Sequence, residues 1–265
     1  MSLRPLALQA LCLADPEAKA DAALDLHARL TAGALAIDPA ERLTEPAPPQ
    51  RLPGRPERPR LVEPAEVPRR SPFSAAGRAA LLHAVCHIEF NAINLALDAV
   101  WRFPDLPADY YRDWLQVAAE EATHFRLLRA HLRTLGCDYG DHEAHDGLWR
   151  MTEATREDFI ARMALVPRTL EARGLDATPP MQARLRQAGD LAAVAILDII
   201  LRDEVGHVAI GNHWYRWACE RAGLDPVTLY PQLVERYRAP RAKPPFNLEA
   251  RRRAGFSAQE LDALG

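Results

Sequence analysis

Lysine is nearly missing from this chain: only Lys19 and Lys243 stand among its 33 basic residues. The other cations are arginines, a bias of composition more than of guanidinium chemistry. They are outnumbered by 36 acids, for a net charge of −3. No global positive field therefore draws the chain to nucleic acid or to an anionic membrane surface. Cysteine is scarce as well. Cys12, Cys86, Cys137 and Cys219 lie far apart and form no Cys-x-x-Cys pair, which excludes a disulfide framework and a thiolate zinc site. Cys86 and Cys219 fall inside apolar helical patterns and read as core residues. Long hydrophobic runs are absent too. The longest, LAAVAILDIIL at 191–201, contains Asp198 and is far shorter than the roughly 20 residues that span a bilayer. The start, MSLRPLALQALCLADPEAKA, has one Arg and early acids at Asp15 and Glu17, without a signal cleavage pattern. A soluble, cytoplasmic protein with no membrane partner is expected. Finally, the alternation and β-branched runs that mark strands are missing after Ser74, which points to an all-α fold.

What is present is helical periodicity with clear punctuation. Asp15 can cap a first helix, Pro16 suits its first position, and helix formers carry it to about residue 31. Residues 38–72 then hold ten prolines, at 39, 46, 48, 49, 53, 56, 59, 64, 68 and 72, so this arm is extended, as a solvated linker or wrapped on the main domain. Four long helices are expected next, at about 74–101, 108–135, 149–173 and 181–222. Gly136, Gly174 and the Pro of LDATPP serve as stop signals. A basic Pro-containing tail leads to a last short helix near Ser257. The expected organisation is an N-terminal helix and arm over 1–73, then a four-helix bundle with a C-terminal helical extension over 74–265.

Two stretches carry the chemistry. EEATHFRLL at 120–128 and DEVGHVAIG at 203–211 each place a Glu three residues before a His, Glu121 with His124 and Glu204 with His207. Positions i and i+3 share one helix face, so each pair can address one point. Glu89 lies 32 residues before Glu121, inside an apolar stripe of Val85, Cys86, Ala92, Ile93 and Ala96; Glu171 lies 33 residues before Glu204. A carboxylate within an apolar stripe needs a cation, a hydrogen-bond partner or a proton. One Glu from each of two helices and a Glu-x-x-His from each of the other two is the ligand plan of dinuclear carboxylate bundles. Oxygen and imidazole donors suit iron or manganese. Glu171 is the weakest member: Glu153 and Glu157 are alternatives on its helix, and Pro167 is placed to kink that helix and alter the face Glu171 occupies. Glu120 and Asp203, next to the motif glutamates, are candidate acceptors for the outward ring N–H of His124 and His207. Phe125, Ile88 and Leu201 are expected to shield the centre from water. His87, His142 and His145 read as packed or structural residues, and the five tryptophans, at 101, 114, 149, 214 and 217, as core.

The segments HIEFNAINLALDAVWRFPDLP, DWLQVAAEEATHFRLL, YGDHEAHDGLW, RMALVPRTLEARGLD and ILRDEVGHVAIGNHWY resemble a bacterial ferritin-like family of unassigned function, over roughly residues 74–260. The wider superfamily that this resemblance implies includes a tRNA hydroxylase, ribonucleotide reductase small subunits, bacterial monooxygenases and ferritins. Carried onto this chain, the superfamily's ligand pattern falls on Glu89, Glu121, His124, Glu171, Glu204 and His207. The resemblance implies two iron ions, with manganese as the other choice, and O2-dependent oxidation of a small organic substrate with electrons from an external donor. Ferroxidase activity and iron storage form a second expectation; the Pro-rich arm and basic tail suit a ferritin cage poorly. Modification of tRNA is a third, since Arg236, Arg238, Arg241, Lys243, Arg251, Arg252 and Arg253 are candidates for phosphate contact. Assembly into an oligomer is compatible with all three, and fold alone does not choose among them.

Overall fold

The computed structural model describes residues 1–47, 51–67 and 71–264. Prolines 48, 49 and 68 of the arm lie outside the described residues. Among these residues the structure is all-α: no strand is formed, and the only pairings of that kind are two isolated bridges, Ser2 with Ala36 and Leu61 with Ala144. The chain divides into two compact units, Met1–Trp149 and Arg150–Gly265.

The first unit is organised around a long helical hairpin. Helix α3 (Ala75–Arg102) starts where the Ser74 hydroxyl accepts the Gly77 N–H at 3.1 Å, an N-cap that satisfies one otherwise orphaned donor. It is buried along most of its length, on several faces. Among the described residues α3 alone would pass for a membrane span by length and composition, but most of it is covered by protein. Helix α4 (Ala108–Thr134) follows after the Pro104–Pro107 turn and ends at Gly136, which takes a left-handed φ of 74°. Two helices precede the pair. Helix α2 (Pro16–Thr31) has the expected Asp15 cap, accepting from Ala18 N at 2.8 Å. Helix α1 (Leu3–Leu11) was not foreseen: the apolar run at the N-terminus buries Leu3, Ala7, Ala10 and Leu11 instead of standing free.

The described part of the arm wraps on this unit. Buried Arg4 donates to the carbonyls of Pro39, Glu41 and Trp101. Arg102 pairs with Glu45, Arg42 with Asp105, Arg55 with Asp146, and Arg60 with Glu143. At Gly54 the backbone passes so close to α1 that a Cβ would lie 2.1 Å from the Cys12 carbonyl oxygen, so only glycine fits. Lys19, fully buried, donates to the Gly54 carbonyl at 2.7 Å and to Asn94. Burial pushes its pKa down to about 7, since removing an ammonium from water disfavours its charged form.

Helix α5 (Gly147–Ala154) spans the division point. The second unit departs from the expected pair of helices at 149–173 and 181–222. The chain turns at 155–157 and restarts at α6 (Phe159–Leu165), where Asp158 accepts the Ala161 N–H at 2.9 Å. A π-helical turn, Val166–Glu171, leads directly into α7 (Ala172–Gln187). Neither Gly174 nor the Pro179–Pro180 pair ends α7. Its buried face, Leu175, Thr178, Gln182 and Leu185, packs on the next helix and outweighs the local breakers. The break falls instead at Gly189, φ 80°, after which Asp190 caps α8 (Leu191–Ala222) by accepting from Ala193 N at 3.0 Å. Helix α8 ends at the left-handed Gly223. Two helices unforeseen in the tail, α9 (Pro226–Arg236) and α10 (Leu248–Arg253), precede the expected last one, α11 (Ala258–Asp262), which opens with a capping box between Ser257 and Glu260.

Candidate metal centre

The mid-parts of α3 and α4 bring three of the sequence-predicted ligands together. Glu89 is 4% exposed, and Glu121 and His124 are fully buried. His124 Nδ1 lies 3.1 Å from Glu89 Oε2 and 3.4 Å from Glu121 Oε2, and the three residues offer ligand atoms within 4.8 Å of one another. The next residues along the two helices, Phe90 and Phe125, are also buried, with ring centroids 5.3 Å apart. Two carboxylates and one imidazole in such surroundings carry net negative charge even when the imidazole is protonated, and an uncompensated buried charge costs several kcal/mol. The electrostatics of His124 express that demand. Burial opposes its charge, but hydrogen bonds to Glu121 and Glu89 prevail and hold its pKa up at about 11. A divalent cation satisfies the same carboxylates with greater charge, and binding it would release that proton.

The second unit repeats the plan with a different backbone. Glu204 and His207 on α8 are 7% and 1% exposed, with Glu204 Oε1 3.6 Å from His207 Nδ1. Glu171, 9% exposed, is the last residue of the π-helical turn. The Glu204 carboxylate lies against the first turn of α7: a Cβ on Gly174 would meet Glu204 Oε2 at 3.9 Å. The expected effect of Pro167 is thus realised as a π-turn rather than a simple kink. Pro167 has no N–H to donate, and farther along the turn the Thr169 hydroxyl donates to the Ala164 carbonyl at 2.7 Å. That widened turn buries Arg168, Thr169 and Glu171 together. Such π-turns concentrate at functional sites. Helix α8 accommodates it at Gly211, where a Cβ would come within 2.5 Å of the Pro167 ring. The alternatives to Glu171, namely Glu153 and Glu157, are exposed.

The remaining candidates fall as follows. Glu120 accepts from Gln116 at 2.9 Å, and Asp203 accepts from Arg202 at 2.8 and 3.1 Å. Phe125 is buried, but Ile88 is 45% exposed and does not shield the centre; it occupies the solvent side of α3, one position off the Glu89 face. His87 is engaged by Tyr139, the His145 carbonyl and Asn91, while buried His83 accepts the Gly140 N–H. Burial holds both rings neutral, pushing His87 to about 3 and His83 to about 4. Four of the tryptophans, at 101, 114, 149 and 214, are core residues and Trp217 is partly buried. In the basic tail Arg251 is buried and paired with Asp176 at 2.5 Å, so it is not a surface phosphate contact. Buried Arg168 was missed by the sequence reading, and the only signal for it was the proline beside it in VPRTLE.

Residues 12–262 match the model of a family described as "Protein of unknown function (DUF455)". A protein of Haemophilus influenzae described as "Uncharacterized protein" is 50% identical over 260 residues, covering 96% of this chain and 90% of that relative. No solved structure matches. With the matched region running from the C-cap of α1 to the end of α11, both halves of the candidate ligand set included, the chain belongs to the DUF455 family.

Proposed function

We propose that the protein is a dinuclear metal oxidoreductase, with Glu89, Glu121 and His124 from one unit and Glu171, Glu204 and His207 from the other holding two iron ions. In this reading Glu204 supplies a further buried carboxylate of the same kind. The observation that carries the proposal is the buried Glu89–Glu121–His124 cluster, repeated in kind by Glu204 and His207. The fit rests on donor chemistry: four carboxylates and two imidazoles neutralise two divalent cations, and hard oxygen with nitrogen donors suits iron or manganese. Two ferrous ions so held would supply electrons to O2 for oxidation of a small organic molecule, with an external donor restoring the reduced state.

The chain's own residues have definable tasks. Glu121 and His124, fixed three apart on an unbroken helix, set the angle between an oxygen and a nitrogen donor. Glu89 reaches the same point from α3. Burial of all three keeps water from the cluster, which strengthens each charge interaction there. The test is O2 uptake by protein loaded anaerobically with Fe(II). Uptake that is stoichiometric with iron, and abolished in Glu121→Ala, supports the reading. Iron bound in stoichiometric amount with no reaction toward O2 would limit the protein to metal binding.

A further inference from the structure

The second unit contains a pocket of about 480 Å³ whose contents the proposed metal chemistry does not explain. Its volume falls in the range of small-molecule sites, roughly 300–1,000 Å³. One wall is apolar, formed by Val227, Pro231 and Val234 from α9 and by Phe256. The other side carries three arginines, Arg168, Arg241 and Arg251. Their neighbours do not cancel them. Arg168 and Arg216 share the single carboxylate of Glu260, at 2.7 and 2.9 Å, and Arg251 has Asp176. Three guanidiniums thus face two carboxylates, and Arg241, exposed at the rim, forms no ion pair among the described residues. The local excess is two positive charges. Glu260 is committed further, since it also accepts the Ser257 N–H at 2.7 Å. Arg168 is 3% exposed, and its Nε, although buried, has no hydrogen-bond partner. A buried guanidinium N–H left unmatched is expensive, and Arg168 is among the residues that line the cavity. Its guanidinium is fixed by stacking on Tyr215, Tyr230 and Phe256, at 4.7–5.2 Å from their centroids, so the donor is preorganised.

We propose that this pocket binds an organic acid, its anionic head taken up by Arg241 and the Arg168–Arg251 floor, its hydrocarbon part laid against Val227, Pro231 and Val234. A carboxylate and a phosphate monoester share the required chemistry: a compact anion with several acceptor oxygens, matched to guanidinium forks. The site needs no metal, so it stands or falls separately from the dinuclear reading. Arg168 and Thr169 at the pocket belong to the same π-turn as Glu171.

Isothermal titration of the full chain with octanoate, octyl phosphate and octanol, all eight-carbon probes, tests the proposal directly. At least one of the two anions binds saturably at one site per chain, and about tenfold or more tighter than octanol, the margin expected for a charge-assisted hydrogen bond. The ratio of octanoate to octyl phosphate assigns the head group. Arg241→Ala, at an exposed residue without an ion pair, weakens the preferred anion by about the same factor and leaves octanol unchanged. Val234→Trp fills the apolar side and abolishes binding of all three, while Arg186→Ala, at an exposed position elsewhere, changes nothing. Octanol binding as tightly as the anions, indifference of the anions to Arg241→Ala, or no binding by any probe to folded wild-type protein would each overturn the proposal.

Discussion

The two units carry the same three-residue pattern of candidate ligands on unlike backbones. In the first, Glu89 and the Glu121–His124 pair sit on two uninterrupted α-helices, with both motif residues fully buried. In the second, only Glu204 and His207 are on such a helix, and Glu171 ends a π-turn built around Pro167. A rigid helix fixes ligand geometry once. A π-turn widens the backbone by one residue and sets its last residue, Glu171, on a different register. The difference teaches that residue pattern and backbone form are separable: the residue types are repeated, while the π-turn occurs on one side. That side also holds the arginine-lined pocket, whereas the other is braced by the wrapped arm and the neutral His83–His87 layer.

Breaking each side in turn should give unequal effects. The largest is expected from Glu121→Ala or His124→Ala, which remove a fully buried ligand from the rigid side: stoichiometric iron is lost altogether, as read by metal analysis after anaerobic loading. Glu171→Ala should be milder, lowering iron content partially and leaving the helical circular dichroism intact. Next comes Gly211→Ala, whose Cβ would meet the Pro167 ring at 2.5 Å. Crowding of that kind costs about 1–3 kcal/mol, measured by denaturant unfolding, and it should weaken iron binding with all six ligands still present. The neighbouring Gly174→Ala is the contrast, because its Cβ meets Glu204 at an ordinary 3.9 Å. There the helix gains about 0.5–1 kcal/mol over glycine, seen as a small rise in Tm with iron retained.

A separate expectation concerns pH. The folded state holds His87 near 3 and His83 near 4, below the ordinary value of 6.5, through burial first of all. Below pH 6.5 the unfolded chain takes up protons on these rings that the folded one refuses, so stability is present above that pH and falls as the pH drops toward 3–4. His87→Gln should make the acid limb of the stability curve shallower between pH 6.5 and 4. An unchanged slope would show that the ring is not held neutral.

Much of the site was legible because its signals are local. Glu-x-x-His on a helix, and a glutamate within an apolar stripe, express their geometry through a fixed 3.6-residue period, and all six residues are indeed buried at helical positions. The ends of α3 and α4 were readable for a similar reason: Ser74, Pro107 and Gly136 act within one turn of themselves. The errors arose where tertiary packing overruled local preference. Gly174 and Pro179–Pro180 read as stops, yet the face of Leu175, Thr178 and Leu185 keeps α7 continuous. Ile88 was assigned to the shielded side although its position turns it to solvent. Whether the arm was solvated or wrapped depended on partners far along the chain, such as Arg4 with Pro39 and Gly54 with Cys12. Arg168 was invisible for the same reason, since Asn212, Glu260 and Phe256 lie 44 or more residues away.

The measurement that bears most directly on the central claim is the metal stoichiometry of the full chain after anaerobic titration with Fe(II), followed by Mössbauer spectroscopy once O2 is admitted. The account predicts two irons per chain, spin-coupled after oxidation, with both lost in Glu121→Ala. A folded wild-type protein that takes up no stoichiometric iron or manganese would contradict it, and would leave Glu89, Glu121 and His124 as a buried polar cluster held together by the His124 proton.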